Sequence, residues 1–190
     1  MFVIMTTWKA GRRLLAQTME SRLIPLETFV ESLDQNLPGR VPGTSVFLNS
    51  SPQGTPPALL HNLKHNRILH ERVVLLTVVI RDVPFVAEED RFEVSDLGKN
   101  IYRVLLNFGF SQDPNIPAAL ARCEVGGEAF KMMETSFFLS REQLITTKRP
   151  GMQRWRKHLF VLTSRNSVGA FSFFRLPPNR VIELGMQLEI

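Results

Sequence analysis

The chain has 190 residues, 44% hydrophobic and 22% charged, which supplies one full-sized core and excludes a disordered or fibrous polypeptide. Lys and Arg number 23 against 18 Asp and Glu, a net charge of +5, so anionic partners are favoured: nucleic acid, phospholipid head groups or a small phosphorylated ligand. A single cysteine, Cys123, excludes an intramolecular disulfide and a thiolate metal cluster, and fits a reducing compartment.

The opening "MFVIMTTWKAGRRLL" is apolar through Trp8 and then cationic at Lys9, Arg12 and Arg13. An interfacial tryptophan followed by cations is the pattern of a helix leaving a bilayer on its cytoplasmic side. Eight residues cannot span, because about 20 are needed, and a secretory signal would carry its cations first. Two readings follow: an amphipathic surface helix, or the tail of a transmembrane segment. A helix can continue to Arg22 with only Gly11 as a weak point.

From Pro25 a second, short amphipathic helix is expected, with Leu26, Phe29, Val30 and Leu33 on one face. "LPGRVPGT" is the expected linker, which divides the chain into residues 1–37, helical and juxtamembrane, and 38–190, an α/β domain.

Beyond it, strand and helix signals alternate. "TSVFLN" is a strand, "SSPQGT" a loop, and "PPALLHNLKHN" a helix capped by Thr55 with Pro56 first and Asn66 as its stop. "ERVVLLTVVI" is β-branched and continuously apolar, a strand buried on both faces. "RFEVSD" and "NIYRVLLNFGF" flank "LGKN" as a hairpin, "NIPAALARC" is a short helix and "METSFFLSREQLI" a strand. "GMQRWRKHLFVLTSRN" is a helix with Met152, Trp155, Leu159 and Leu162 on one face, and "RVIELGMQLEI" a closing strand. A strand, helix and strand in that order make parallel neighbours, so the expected fold is α/β on a mixed, partly parallel sheet with flanking helices, preceded by a helical juxtamembrane segment.

Three stretches could carry chemistry. His61 and His65 share a helical face at a spacing zinc enzymes use, yet zinc needs at least three converging protein ligands, Asn62 stands where a catalytic glutamate would, and His70 lies beyond the helix. No metal is expected. The loop Asn49, Ser50, Ser51, Gly54 and Thr55 leaves a strand and opens a helix, where backbone N–H groups and the helix dipole favour an anion such as a nucleotide phosphate. Turn and cap chemistry accounts for the same residues.

Residues 148–180 hold eight Lys or Arg and no acid, among them Arg154, Arg156 and Lys157. Near a bilayer each such cation is attracted to anionic lipid by roughly 1 kcal/mol. A nucleic-acid surface would set aromatics among the cations, and Phe171, Phe173 and Phe174 lie close in sequence. A solvated basic face explains the tract as well. No nucleophile elbow or carboxylate pair is present, and no catalytic residue and no cofactor are expected.

The strings "TTWKAGRRLL", "RVPGTSVFL", "GTPPALLHNLKHNRILHERVVLLTV", "ETSFFLSRE", "RPGMQRW" and "FFRLPPNRVIELGMQLEI" resemble the Kup-type potassium uptake transporters of bacteria over nearly the whole chain. The resemblance implies the cytoplasmic C-terminal domain of a proton-coupled potassium symporter with about twelve membrane helices of roughly 20 residues. It implies an inner-membrane location with this domain inside, and makes residues 1–8 the end of the last membrane helix and Lys9, Arg12 and Arg13 membrane-proximal cations. Implied partners are the membrane domain of the same transporter and anionic lipid. A regulatory nucleotide and a homodimer stay open, nucleic acid is not expected, and no ion-path residue falls in this chain. The alternative is a soluble nucleotide- or nucleic-acid-binding module using the 49–55 loop and the 148–180 tract.

Overall fold

Residues 2–21, 23–34, 38–147, 152–165 and 173–189 are described by a computed structural model. In chain order the elements are α1 (Phe2–Glu20), α2 (Leu26–Ser32), β1 (Gly39–Asn49), α3 (Pro57–Asn66), β2 (Ile68–Arg81), β3 (Phe92–Asp96) and β4 (Ile101–Gly109). There follow α4 (Ile116–Leu120), β5 (Glu124–Val125), β6 (Glu128–Ala129), β7 (Thr135–Ile145), α5 (Arg154–Arg165) and β8 (Val181–Glu189).

A six-stranded sheet runs β3-β4-β2-β1-β7-β8. β1 pairs in parallel with β2 and β7, β2 in parallel with β4, and β3 with β4 is antiparallel. The mixed, mostly parallel α/β sheet is therefore as expected, and so are the β1-α3-β2 crossover and the β3-β4 hairpin. The hairpin turn places Gly98, Lys99 and Asn100 at positive φ, a conformation that glycine and asparagine accept with least strain. Gly39–Thr44, within the stretch expected as linker, form the first half of β1, whose register shifts between Val41 and Thr44, and Gly43 at φ 99° sits in that irregularity.

Two compact units emerge, Ile24–Ser140 with Ala170–Leu184, and Met1–Leu23 with Arg141–Gly169 and Gly185–Ile190. In the first, side chains alternate across the sheet. Val46, Val74, Leu76, Val104, Leu106 and Phe108 face α4 and the β5-β6 hairpin. Phe47, Val73, Leu75, Ile101 and Phe138 face α2 and α3. Both sides of the central strands are dry, which is why β2 reads as an unbroken apolar run. Each fully buried side chain of this kind contributes about 1.5–3 kcal/mol. Leu26, Phe29 and Leu33 place α2 in this core, so its apolar face is consumed within the unit.

The β5-β6 hairpin is absent from the sequence expectations, although its Gly126-Gly127 turn, at φ 65° and 77°, is the usual signal. Two-residue strands carry too little periodicity to show. What fixes the hairpin is distant in sequence. Arg72 on β2 donates from Nε to Thr44 Oγ1 (2.9 Å), from Nη1 to the carbonyls of Val125 (3.2 Å) and Glu128 (3.0 Å), and from Nη2 to Ala129 (3.2 Å). Its guanidinium carbon stands 4.9 Å from the Phe130 ring centroid.

In the second unit α1 packs on α5 through Thr7, Gly11 and Leu15, spaced four apart. Trp8 and Phe160 rings lie 5.5 Å apart, and Arg156 Nε donates to Thr7 Oγ1 at 3.0 Å. The face expected from Met152, Trp155, Leu159 and Leu162 is packed only in part: Met152 lies against the unit's core. Phe160, Val161 and Lys157 are buried, whereas Trp155 and Leu162 are 54% and 61% exposed. Lys157 escapes the usual rule for lysine because Nζ reaches the carbonyl of Thr147 at 3.1 Å.

Candidate functional site

The histidines do not converge. His61 and His65 rings stand 5.8 Å apart and tilted on α3, while His70 is on β2 with its ring edge-on to Phe138 at 5.8 Å. Among the described residues no group of three His, Cys, Asp or Glu side chains is placed to hold a metal ion. Asn62, at the position a zinc-site glutamate would take, donates to the carbonyl of Ile68 (2.9 Å) and accepts from Asn66 Nδ2 (2.8 Å), tying α3 to β2. The helix stops one residue after Asn66, at Arg67, which takes the left-handed φ of 56°.

His70 Nδ1 is buried without a hydrogen-bond partner, and burial lowers its pKa from the ordinary 6.5. The unfolded chain then takes a proton near pH 6.5 that the fold resists, so stability is constant above that value and falls as pH drops toward the lowered folded value. The urea midpoint should therefore decline between pH 7 and 5, and His70→Phe should flatten that decline. An unchanged slope in the variant would refute the assignment.

At the end of β1, Asn49 Nδ2 donates to the carbonyls of Ser51 and Gly54, each at 2.5 Å. Thr55 does not cap α3. Its hydroxyl and its N–H both donate to the Ile24 carbonyl, at 3.0 and 2.9 Å, and Pro56 takes the N-cap position without a side-chain hydrogen bond. Leu26 N–H donates to the Gln53 carbonyl at 3.2 Å, and Pro25 bridges Gly54. The loop thus holds the segment before α2, and Pro56 and Pro57 lack two of the N–H groups an anion would use. Ser50 remains exposed, and Ser51 Oγ meets Gln53 Oε1 at 3.4 Å.

The expected basic tract divides. Arg154 is exposed, Arg156 is bonded to Thr7, Lys157 is buried, and Arg175 pairs with Asp113 at 2.8 Å. Lys148, Arg149 and Phe171 lie outside the described residues. Phe173 is half exposed and its ring meets Phe174 edge-on at 5.1 Å.

A sharp contrast in surface chemistry runs along α1. Phe2, Val3, Ile4 and Met5 are 79%, 48%, 49% and 67% exposed, and Lys9, Arg12 and Arg13, all exposed, follow within three turns. From Ile4 to Arg13 the helix rises about 13 Å, a length over which lipid tails give way to head groups. Among the described residues no helix is long and apolar enough to cross a membrane.

Residues 42–190 match the family described as the K+ potassium transporter C-terminal domain. The whole chain is similar to the "Probable potassium transport system protein Kup 2" of Rhizorhabdus wittichii (51% identity, 29% of that protein) and to the "Probable potassium transport system protein Kup" of Myxococcus xanthus (51%, 29%). The corresponding Pseudomonas syringae pv. tomato protein is 50% identical, with 30% of its length covered. The chain therefore spans less than a third of the curated relatives it matches. No solved structure matches it.

Proposed function

This chain belongs to the K+ potassium transporter C-terminal domain family, and we propose that it is the cytoplasmic C-terminal part of a proton-coupled potassium symporter in the cell inner membrane. Its role in this reading is structural and regulatory: it folds beneath the membrane-spanning part of the same transporter and catalyses no reaction. The observation that carries the reading is the α1 sequence of exposed apolar residues Phe2 to Met5 followed by Lys9, Arg12 and Arg13. An apolar helix end set against cations on the same axis suits the junction between hydrocarbon and a negatively charged cytoplasmic leaflet. Lys9, Arg12 and Arg13 then act as membrane-proximal anchors. The loop of Asn49 to Thr55 serves as the seat for Ile24 to Leu26.

A reporter fused after residue 20 of the full-length protein should be active only in the cytoplasm. Activity on the opposite side of the membrane would overturn the orientation.

A further inference from the structure

The carboxyl ends of β2 and β4 carry four large apolar side chains in water: Ile80 (46% exposed), Val83 (45%), Phe85 (71%) and Phe110 (63%). They stand on a braced platform. Phe110 N–H donates to the Val83 carbonyl at 2.9 Å and Ser111 N–H to Pro84 at 3.1 Å, zipping the two strand exits together. Gln112 accepts from the N–H groups of Gly109 (2.7 Å) and Val86 (3.1 Å) and donates back to the Val86 carbonyl (3.1 Å). Below, Arg91 lies over the Phe108 ring at 4.9 Å and donates to Val86 at 3.2 Å, and Asn107 donates to the Asp90 carbonyl at 3.0 Å. The backbone that presents the two exposed phenylalanines is thus already ordered, which lowers the entropy cost of binding a partner there.

Charge identifies the partner. Residues 82–93, "DVPFVAEEDRFE", hold five acids and one arginine in a chain whose net charge is +5. Arg91 is buried, Glu88 and Glu93 have ion pairs, and exposed Asp82, Glu89 and Asp90 make no ion pair among the described residues. An acidic rim repels the anionic leaflet and attracts a cationic polypeptide. In a membrane transporter, segments on the cytoplasmic side are enriched in Lys and Arg. Relatives have more than two thirds of their length outside the matched region to supply one.

We propose that the edge formed by Ile80, Val83, Phe85 and Phe110 docks a Lys/Arg-rich cytoplasmic segment of the membrane-spanning part of the same polypeptide. The proposal rests on the membrane reading above and names the contact through which the domain engages the transporter. The phenylalanines enter between apolar side chains of that segment, and Asp82, Glu89 and Asp90 meet its cations.

The test places a photo-crosslinking amino acid at Phe85 or Phe110 of the full-length protein in native membranes, with the exposed position Met133 as control. Adducts should map to a cationic cytoplasmic segment of the same chain, and the exposed-site variant Asp82→Asn/Glu89→Gln/Asp90→Asn should lower their yield by about fivefold or more. Adducts on lipid, on a second copy or on another protein, or a yield no higher than at Met133, would overturn the proposal. Alkaline extraction of the same membranes separates the failures: a polypeptide that stays in the pellet without the adduct sinks the docking alone, and one that is released sinks the membrane reading with it.

Discussion

Replacing Arg72 by Met should release the β5-β6 hairpin and destabilise the sheet unit by about 2–4 kcal/mol, because charged hydrogen bonds are worth about 1.5–3 kcal/mol each and some of the abandoned carbonyls regain water. The guanidinium bonds Thr44 and three hairpin carbonyls at once, and methionine keeps the length of the side chain while donating nothing. Cys123, next to β5, reports the release. The residue is 3% exposed, and burial pushes the thiol pKa up to about 11 against the opposing pull of Arg72, so it resists alkylation in the intact fold. In Arg72→Met its modification should accelerate by about thirty-fold or more, the factor for 2 kcal/mol less in local opening. Glu128→Gln should change little, since that ion pair is 3.8 Å long and its carboxylate is 78% exposed. Equal thiol reactivity in the arginine variant and the parent would refute the clamp.

The second large effect is at the contact of α1 and α5. A Cβ on Gly11 would sit 2.3 Å from Cδ2 of the fully buried Phe160, closer than carbon atoms can approach. Gly11→Ala gains up to about 1 kcal/mol of helix propensity and loses about 1–3 kcal/mol to overpacking, a net destabilisation. Phe160→Ala leaves a cavity and should cost about 3–5 kcal/mol. Together they should be less harmful than their sum by about 1 kcal/mol or more, because the new methyl enters the vacated space. Thermal unfolding followed by Trp8 fluorescence in a Trp155→Phe background reads this unit directly, and strict additivity would contradict the packing described.

The sheet was legible in the sequence because its strands are dry on both faces. A run such as Val73 to Leu76 has no polar alternation to confuse with a helix. The packed face of α5 was not legible. Its polar members, Arg156 and Lys157, find partners outside the helix, in Thr7 far away in sequence and in Thr147 ten residues before, so residues that read as wet are the ones turned inward. Thr55 misled for the same reason: a tertiary acceptor, the Ile24 carbonyl, took the hydroxyl that local rules assign to a helix cap. The apolar-to-cationic change in α1 was visible in the residues alone, whereas the platform under Phe85 and Phe110 was hidden because its braces are backbone hydrogen bonds and side-chain bonds of Gln112, Arg91 and Asn107 to backbone groups.

The membrane exit proposed for α1 is best tested by nitroxides attached at Ile4 or Arg13 of this chain, carried within the full-length protein in lipid bilayers. The label at Ile4 should collide more with dissolved oxygen than with a water-soluble nickel chelate, and the label at Arg13 should show the reverse. Equal nickel accessibility at the two positions would place the start of α1 in water and contradict the account.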